Sequence, residues 1–331
     1  MVKRTVSFSR HASNLFFHIL TDCNLRCAHC YINKEQHGGQ TLDIETVKKW
    51  LALFSDAKSE TNVVFLGGEP TLHPDLAEAV REAKSLGFQS VTIDTNGYLF
   101  HDILDRITPQ EADFISFSLD GATRNTNDAI RGNGCFDRCV TGIKNALSRG
   151  FSTSVIYTVS GHNLHELAMM PDLLKNLGVH RFFIQVIGLR GKSSGKSDSP
   201  QVTREQWLQT VPEVAQNVAQ SGITVTWPKV FLEKDDPFEC AALVSKNYFA
   251  FPNGRVYQCP LCEDYPLHSL GIKNDKLVKT PKINEQDMYQ LSIPEGCVMN
   301  KLIQPGNITY HPDGTPEHRI ACCMLKEEIQ P

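Results

Sequence analysis

The sequence lacks any apolar run long enough to cross a membrane, and it lacks a block of basic residues. No apolar stretch approaches the roughly 18 residues that a membrane-spanning helix needs. Its 33 Lys and Arg are outnumbered by 37 Asp and Glu, which gives a net charge of -4 over 331 residues. We therefore expect no membrane segment, and neither nucleic acid nor an anionic membrane surface is indicated as a partner.

Signals for secretion, disorder and fibrous structure are also missing. The first twenty residues hold only the short apolar-rich run 15–20, preceded by Ser, Arg and His, so we expect no signal peptide. Hydrophobic residues make up 41% of the chain and charged residues 21%, which is ordinary for a globular protein and excludes collagen, coiled coil and disorder.

Cysteine is the residue type that the sequence has in excess. There are eleven, an odd number, in a chain large enough to build a core without disulfides. Because no secretion signal is present, we expect a reducing cytoplasm, where cysteine clusters serve metal binding or redox chemistry more often than disulfide formation. Two of the eleven, Cys135 and Cys139, stand near a predicted helix start and are expected to be core or partly exposed thiols.

Short β-rich runs alternate with helical patterns over roughly residues 14–186. The predicted strands are 15–20, 62–66, 90–94, 114–119, 152–158 and 181–186. Six βα repeats with short loops predict an α/β fold with a parallel sheet, either an open doubly wound sheet or an incomplete (β/α)6 barrel. In both architectures ligands bind at the carboxyl ends of the strands.

The composition and the periodicity of the sequence change after the sixth predicted strand. Residues 190–202 are polar and rich in Gly and Ser, which predicts a linker or a mobile loop. A capping box of Thr203 and Gln206 then predicts the start of a helix. Beyond residue 228, turn and hairpin signals prevail. We therefore divide the chain into a βα domain at 1–190, a linker and connecting helix at 191–227, and a smaller α+β domain at 228–331.

Three cysteines stand in one loop after the first predicted strand. Cys23, Cys27 and Cys30 have the spacing C-x3-C-x2-C. Three thiolates on one loop can hold three corners of a 4Fe-4S cubane and leave the fourth iron open to a ligand. Structural zinc is the alternative and needs a fourth ligand, for which His29 or His37 is a candidate. A chance cluster is the third interpretation.

Four ordered motifs resemble those of the radical S-adenosylmethionine (SAM) enzymes. They are the cysteine triplet with Tyr31 after it, Gly67-Gly68-Glu69-Pro70 after the second strand, Thr95-Asn96-Gly97 after the third, and Ser116-Phe117-Ser118-Leu119-Asp120-Gly121 with the following Arg131-Gly132-Asn133-Gly134 after the fourth. Each motif alone is weak, but four in order at strand ends are specific. The resemblance covers roughly residues 14–190.

The resemblance implies a partial (β/α)6 TIM-like barrel in which SAM chelates the open iron of the cluster. Gly67 and Gly68 would let the backbone approach the methionine part of SAM closely, and the Glu69 carboxylate would receive its ammonium group. Pro70 completes the segment that the resemblance implies as a cofactor contact; a tight βα turn with a Pro at the helix start is the structural alternative. The other residues that the resemblance implies as cofactor contacts are Tyr31, Thr95, Asn96, Ser118 and Asp120. Loop caps at strand ends are the structural alternative for Asn96, Ser118 and Asp120.

Six further cysteines lie in the last hundred residues: Cys240, Cys259, Cys262, Cys297, Cys322 and Cys323. Cys240, Gly254 and Cys259 form a C-x13-G-x4-C spacing that resembles the opening of the SPASM and twitch extensions of radical SAM enzymes, which carry auxiliary iron-sulfur clusters. The C-x2-C-x5-C-x3-C run of a full SPASM domain is absent. We therefore expect one auxiliary cluster, a 4Fe-4S centre on Cys240, Cys259 and Cys297 with a fourth ligand from Cys262, Cys322 or Cys323. Structural zinc is the alternative.

The resemblance implies reductive cleavage of SAM to a 5'-deoxyadenosyl radical that abstracts a substrate hydrogen. The auxiliary cluster would then assist oxidation or crosslinking of a peptide, protein or small metabolite, and a flavodoxin or ferredoxin would supply the electron. Radical transfer of a group from SAM itself to a small molecule is an alternative reaction. A zinc-stabilised binding module without catalysis is an alternative of another class.

Two details bear on the substrate and on the general base. About 14 residues precede the first strand, so we expect no N-terminal peptide-recognition domain. In the sulfatase-maturing relatives an Asp acts as base directly after the G-x4-C cysteine, and Pro260 holds that position here. Glu263 and Asp264 are nearby substitutes, or else surface charges.

Overall fold

A twelve-stranded sheet forms the centre of the computed structural model, which describes residues 4–55, 60–194 and 200–331. The strands of the described residues are β1 (Ser13–Leu20), β2 (Asn62–Gly67), β3 (Ser90–Thr95), β4 (Phe114–Ser118), β5 (Thr153–Val159), β6 (Arg181–Val186), β7 (Thr224–Pro228), β8 (Phe231–Leu232), β9 (Lys246–Ala250), β10 (Arg255–Tyr257), β11 (Leu270–Lys273), β12 (Lys276–Lys279), β13 (Arg319–Ile320) and β14 (Lys326–Ile329). Of these, β8 and β13 pair with each other in a separate two-stranded sheet. The helices are α1 (Lys34–His37), α2 (Ile44–Phe54), α3 (Leu76–Ser85), α4 (Ile103–Arg106), α5 (Arg124–Arg131), α6 (Cys135–Ser148), α7 (Met170–Leu177), α8 (Arg204–Gln220), α9 (Ala241–Val244), α10 (Glu285–Tyr289) and α11 (Val298–Ile303).

The strand order is β12-β11-β10-β9-β1-β2-β3-β4-β5-β6-β7-β14. Strands β1 to β7 are successively parallel, and the helices between them serve as crossovers. The predicted α/β fold with an incomplete barrel is confirmed, and the six predicted strands agree with β1 to β6 to within two residues at each end. Strand β7 is a seventh parallel strand that the sequence pattern did not predict, because its short run directly follows a helix.

Each face of the sheet has its own apolar core. Because side chains alternate along a strand, Phe17 of β1 packs towards the helices, while Phe16 faces the opposite side. The concave side, here called the lumen, is lined by a second apolar cluster that includes Phe16, Phe183 and Phe249. Strands buried on both faces account for the nearly continuous apolar runs in the sequence.

Residues beyond 228 add strands to both edges of the same sheet. Strand β9 pairs in parallel with β1, and the predicted hairpin is confirmed, since β10 returns antiparallel after the turn at Asn253 and Gly254. At the other edge, β14 pairs antiparallel with β7. The sheet is therefore continuous across residue 228, and the three-part division of the chain stays a prediction.

Residues 190–194, which open the predicted linker, lie against the loop that carries the first three cysteines. The Lys192 amide donates to the Cys30 carbonyl at 2.9 Å. Gly191 has a φ of +56°, and a Cβ there would fall 2.5 Å from the same carbonyl oxygen. Residues 195–199 of the predicted linker lie outside the described residues. The predicted capping box is present, because the Gln206 amide donates to the Thr203 hydroxyl ahead of α8. No helix in the described ranges has the length and apolarity of a membrane span.

Candidate functional site

The cysteine loop, residues 21–31, follows β1 at the carboxyl end of the sheet. Cys23, Cys27 and Cys30 all line the main cavity, which has a volume of about 290 Å³. The Leu25 amide donates to the Cys23 sulfur at 3.3 Å, and the Ala28 amide donates to the Ile130 carbonyl at 2.8 Å. Desolvation raises the pKa of Cys23 to about 11, so iron must displace a proton when it binds there.

The two histidine candidates for a fourth zinc ligand differ, because both ring nitrogens of His37 have partners, whereas His29 has a buried Nδ1 without one among the described residues. His29 Nε2 lies 3.1 Å from an Asp120 oxygen. His37 Nε2 lies 3.1 Å from the Glu263 carbonyl oxygen, and its Nδ1 accepts a bond from the Asn33 amide. Within the described ranges, no group of three or more His, Cys, Asp or Glu side chains is placed to hold one metal ion. A cubane presents four separate irons and therefore spreads its thiolates more widely than one ion does.

The segment 67–70 packs directly on the start of the cysteine loop. Its Gly68 amide donates to the Leu20 carbonyl at 3.1 Å, and its Glu69 amide donates to the Asp22 carbonyl at 3.0 Å. A Cβ on Gly67 would fall 2.1 Å from the Leu20 oxygen, and one on Gly68 would fall 2.1 Å from the Asp22 oxygen. The close approach of these two loops by itself requires glycine at both positions. From the sequence we expected that SAM binding was the reason for the two glycines.

The Glu69 carboxylate is buried and accepts four hydrogen bonds from the chain. Oε1 accepts from the Thr71 amide at 3.1 Å, from the Thr71 hydroxyl at 2.6 Å and from the Thr95 hydroxyl at 2.7 Å. Oε2 accepts from the Asn96 amide at 2.8 Å. Three of these bonds fall on Oε1 and one on Oε2, so Oε2 keeps a lone-pair site for a further donor. Glu69 therefore fixes the loops after β2 and β3 to one another, and its contact with the SAM ammonium stays a prediction.

Asp120 lies fully buried beneath the cavity. Its Oδ2 is 3.1 Å from His29 Nε2 and 2.6 Å from Arg131 Nη2, and its Oδ1 accepts from the Thr158 amide at 2.8 Å. Burial alone would raise the pKa of Asp120, but Arg131 and His29 outweigh it and hold the pKa at about 2. The carboxylate thus joins the cysteine loop to α5, and the SAM contact that the resemblance implies for it stays a prediction.

Most of the predicted cofactor residues converge on one wall of the cavity. Those that line it are Cys23, Cys27, Cys30, Tyr31, Gly67, Gly68, Glu69, Thr95, Asn96 and Ser118, whereas Pro70 and Asp120 lie outside its lining. The Asn96 side-chain amide donates to Asn24 Oδ1 at 2.8 Å and so reaches the cysteine loop. The Tyr31 hydroxyl donates to His18 Nε2 at 2.7 Å, and its ring lies 4.6 Å from the Arg190 guanidinium.

Comparison with known proteins identifies the family in which these motifs occur. The model of the Radical SAM superfamily matches residues 18–174. A probable GTP 3',8-cyclase of Saccharolobus solfataricus is 30% identical over 208 residues, which cover 62% of this chain and 67% of the relative. The chain belongs to the radical SAM superfamily. A second relative, the Fe-coproporphyrin III synthase of Methanosarcina barkeri, is 28% identical over 236 residues, which cover 68% of this chain and 57% of that protein.

Solved structures show that the radical SAM fold extends over most of the chain. SuiB of Streptococcus suis bound to S-adenosylmethionine matches with a TM-score of 0.59 and 15% identity, covering 76% of this chain and 61% of SuiB. Native anSMEcpe with bound AdoMet matches with a TM-score of 0.59 and 12% identity, covering 91% of this chain and 85% of anSMEcpe. The present chain thus spans about three fifths of the length of SuiB, and at these identities the likeness concerns the fold alone.

The six C-terminal cysteines of this radical SAM protein gather around a second cavity, of about 30 Å³. Cys240, Cys259, Cys297, Cys322 and Cys323 line it, and Cys262 is fully buried beside Cys259. The Ala241 amide donates to the Cys322 sulfur at 3.4 Å, and the Asn300 amide donates to the Cys297 sulfur at 3.5 Å. Five thiols on one cavity exceed the four that a cubane needs, so the residues present fit an auxiliary cluster.

The two acidic candidates for a general base, Glu263 and Asp264, lie in different surroundings. Glu263 is buried, lines the main cavity and forms an ion pair with Arg190, which also donates to the Pro260 carbonyl at 2.7 Å. Burial raises the pKa of Glu263 to about 8, although Arg190 opposes the shift. Asp264 is half-buried outside the cavity lining and accepts from the Gly191 amide at 2.5 Å. Glu263 is therefore not a surface charge.

Two further charged residues line the lumen, and no sequence motif indicated them. Asp94 lies in β3, where burial raises its pKa to about 7 against a hydrogen bond to Ser116. An acidic residue inside a predicted strand was the available signal for it. Lys326 is the first residue of β14 and faces the same cavity. Its position gave no signal, because only the pairing of β14 with β7 brings it to the lumen.

Proposed function

We propose that this radical SAM protein binds a 4Fe-4S cluster on Cys23, Cys27 and Cys30, binds SAM beside it, and removes a hydrogen atom from an organic substrate in the lumen. When bound and reduced, the cluster and SAM supply the 5'-deoxyadenosyl radical that this reaction needs. The observation that carries the proposal is that the three cysteines and residues of three strand-end motifs line a single cavity.

The chain's own residues hold the loops and exclude water. Asp120 anchors the cysteine loop through His29, and Glu69 ties the loops after β2 and β3 together. The lumen beside them is apolar, with Phe16 and Phe249 stacked at 4.5 Å between ring centroids. An apolar lining disfavours water beside a reactive radical and so limits side reactions.

The C-terminal cysteines support an auxiliary cluster of the twitch or degenerate SPASM type. We assign Cys240, Cys259, Cys297 and Cys322 as its ligands, since all four face one cavity and the Ala241 amide donates to the Cys322 sulfur. Cys323 lines both this cavity and the main one, so the two sites share a wall. This arrangement favours an auxiliary cluster that assists oxidation or crosslinking of the substrate over transfer of a group from SAM, which needs no second redox site.

Fewer observations bear on the substrate and on the electron donor. A peptide, a protein side chain or a small metabolite fits the proposal, and the names of the relatives make GTP and a precursor of Fe-coproporphyrin III the first small molecules to test. The electron donor we propose is a flavodoxin or ferredoxin in a reducing cytoplasm, where free thiols persist.

The experiment is anaerobic reconstitution followed by reduction with dithionite in the presence of SAM. The wild type should be brown, hold about eight irons for two cubanes, and release 5'-deoxyadenosine. The triple variant Cys23→Ala, Cys27→Ala, Cys30→Ala should lose about four irons and all release. Cys135→Ala, which removes a buried thiol outside both groups, should keep both properties. A colourless zinc-loaded protein, or unchanged release by the triple variant, would refute the proposal.

A further inference from the structure

Lys326 brings a positive charge into the lumen from the last strand of the sheet. Strand β14 begins with Lys326 opposite Pro228 of β7, and the Lys326 amide donates to the Phe8 carbonyl at 3.1 Å. The ammonium group lies 3.9 Å from the centroid of the Phe8 ring. Among the residues that the structure describes, no carboxylate forms an ion pair with it. A cation–π contact attracts the charge but does not neutralise it.

The other strong cations on the cavity wall have partners. Arg131 is paired with Asp120, and Arg190 is paired with Glu263. Of the histidines, His18 is held neutral because burial, first of all, lowers its pKa well below the usual range. Within the described lining, Lys326 is therefore the cation that a ligand anion can reach without displacing an internal carboxylate.

Two acidic groups face the ammonium from neighbouring elements without contacting it. These are Asp94 of β3 and the Cys323 thiol just before β14, and both raise the pKa of Lys326 while burial lowers it to about 8. Lys326 thus stays mostly protonated near pH 7. Because the pKa of Asp94 is about 7, that carboxyl is only about half ionised there. A partly desolvated charge without a full counter-charge is unfavourable, and a ligand anion would relieve it.

The wall beside Lys326 is apolar and is built from stacked aromatic rings. Phe8 stacks on Phe16 with ring centroids 6.3 Å apart, and Phe16 stacks on Phe249 at 4.5 Å with an angle of 4° between the rings. All three rings line the cavity. The edges of such a stack accept an apolar group, while the ammonium at its end accepts an anionic one.

We propose that Lys326 binds a carboxylate or phosphate of the substrate, whose apolar part packs on Phe8 and Phe16. The inference rests on the proposed function for the presence of substrate in the lumen. One free cation favours a molecule with a single anionic group at this end over a triphosphate, which carries several negative charges. The carboxylate of SAM itself is the other source of the same chemistry, and the experiment separates the two.

The test is calorimetric titration of the reconstituted holoenzyme at pH 7 with 3-phenylpropionate and with its neutral analogue 3-phenylpropionamide. The wild type should bind the carboxylate about tenfold or more tightly than the amide, as expected for a hydrogen bond to a charged partner. Lys326→Met should abolish this preference and leave amide binding unchanged, which also shows that the lumen is intact. Lys326→Arg should keep the preference. Lys279→Met, an identical change at an exposed position of β12, should behave as wild type.

Each contrary outcome has a defined meaning. If the wild type binds neither probe, or binds both equally, or if Lys326→Met keeps the preference, the proposal is wrong. It is also wrong if Lys326→Met weakens SAM binding tenfold and leaves the phenylpropionate preference intact, because the anion would then be that of SAM. Failure of the proposed function would instead appear as absence of 5'-deoxyadenosine from the wild type, whatever the binding data show.

Discussion

Asp120 Oδ2 lies 3.1 Å from Nε2 of His29, the residue directly before Cys30. The same oxygen pairs with Arg131 at 2.6 Å, so one buried carboxylate holds both the cysteine loop and the end of α5. The cysteine loop, which is expected to bind iron, is therefore held in position by the buried Asp120 carboxylate and its two partners. The geometry of the loop thus does not depend on the cluster alone.

Asp120→Asn should destabilise the protein and weaken cluster binding together. Removing one member of a buried ion group leaves Arg131 uncompensated, which is expected to lower the free energy of unfolding by about 3 kcal/mol or more. Urea unfolding and iron content measure the two effects. Asp137→Asn breaks the exposed pair with Arg124 and should change neither. Equal stability of the Asp120 and Asp137 variants would contradict the role given to Asp120.

Stability should fall as the pH drops below about 6.5, in part through His37. The ring stacks 3.9 Å from Phe251, and burial, with Arg190, lowers the pKa of His37 to about 3 against a hydrogen bond from the ring to the Glu263 carbonyl. The folded ring stays neutral where the unfolded one takes up a proton, so stability is lost as the pH falls from 6.5 towards 3. The loss approaches about 4 kcal/mol over that interval.

The variant His37→Phe isolates this effect, because it keeps an aromatic ring on Phe251 and removes the titration. Guanidinium unfolding at pH 7, 5.5 and 4.5 should show a shallower decline for the variant than for the wild type. Parallel declines would show that His37 does not titrate as described.

Gly68→Ala should separate segment 67–70 from the cysteine loop. The new Cβ would lie 2.1 Å from the Asp22 carbonyl oxygen, a distance that backbone cannot tolerate. We expect a tenfold or greater loss of SAM cleavage, with reduced iron content. The matched control is Gly39→Ala, whose Cβ would have no neighbour closer than 3.9 Å and should leave both unchanged. Normal SAM cleavage by Gly68→Ala would contradict the loop contact.

Cys322→Ala and Cys323→Ala should differ although the two residues are adjacent. Cys322 faces the auxiliary cavity only, whereas Cys323 also faces the lumen. We expect Cys322→Ala to lose about four irons and Cys323→Ala to keep them. Iron analysis and electron paramagnetic resonance of the reduced proteins distinguish the two. If Cys323→Ala is the variant that loses the cluster, the ligand assignment is reversed.

The fold and the first cysteine group could be predicted because their signals are local. A βα period repeats six times along the chain, and the residues from Cys23 to Tyr31 are neighbours in sequence. The strand-end motifs were also predicted to meet, since parallel strands place their carboxyl ends along one edge.

Contacts between distant parts of the chain could not be predicted in this way. The pairing of β9 with β1, and the approach of Lys326 to Phe8, depend on tertiary packing that leaves no periodic trace. The internal bonding of Glu69 and Asp120 was hidden for a similar reason. The sequence alone does not distinguish a carboxylate that binds a ligand from one that fixes two loops.

Arg190 connects the surroundings of the two cysteine groups. Its guanidinium lies over the ring of Tyr31, the neighbour of Cys30, and pairs with Glu263, the neighbour of Cys262. A displacement of either loop therefore changes the contacts of a side chain that the other loop shares. Each site should still take up iron when the other is removed, and the loss of one cluster should be detected as a spectroscopic change at the other.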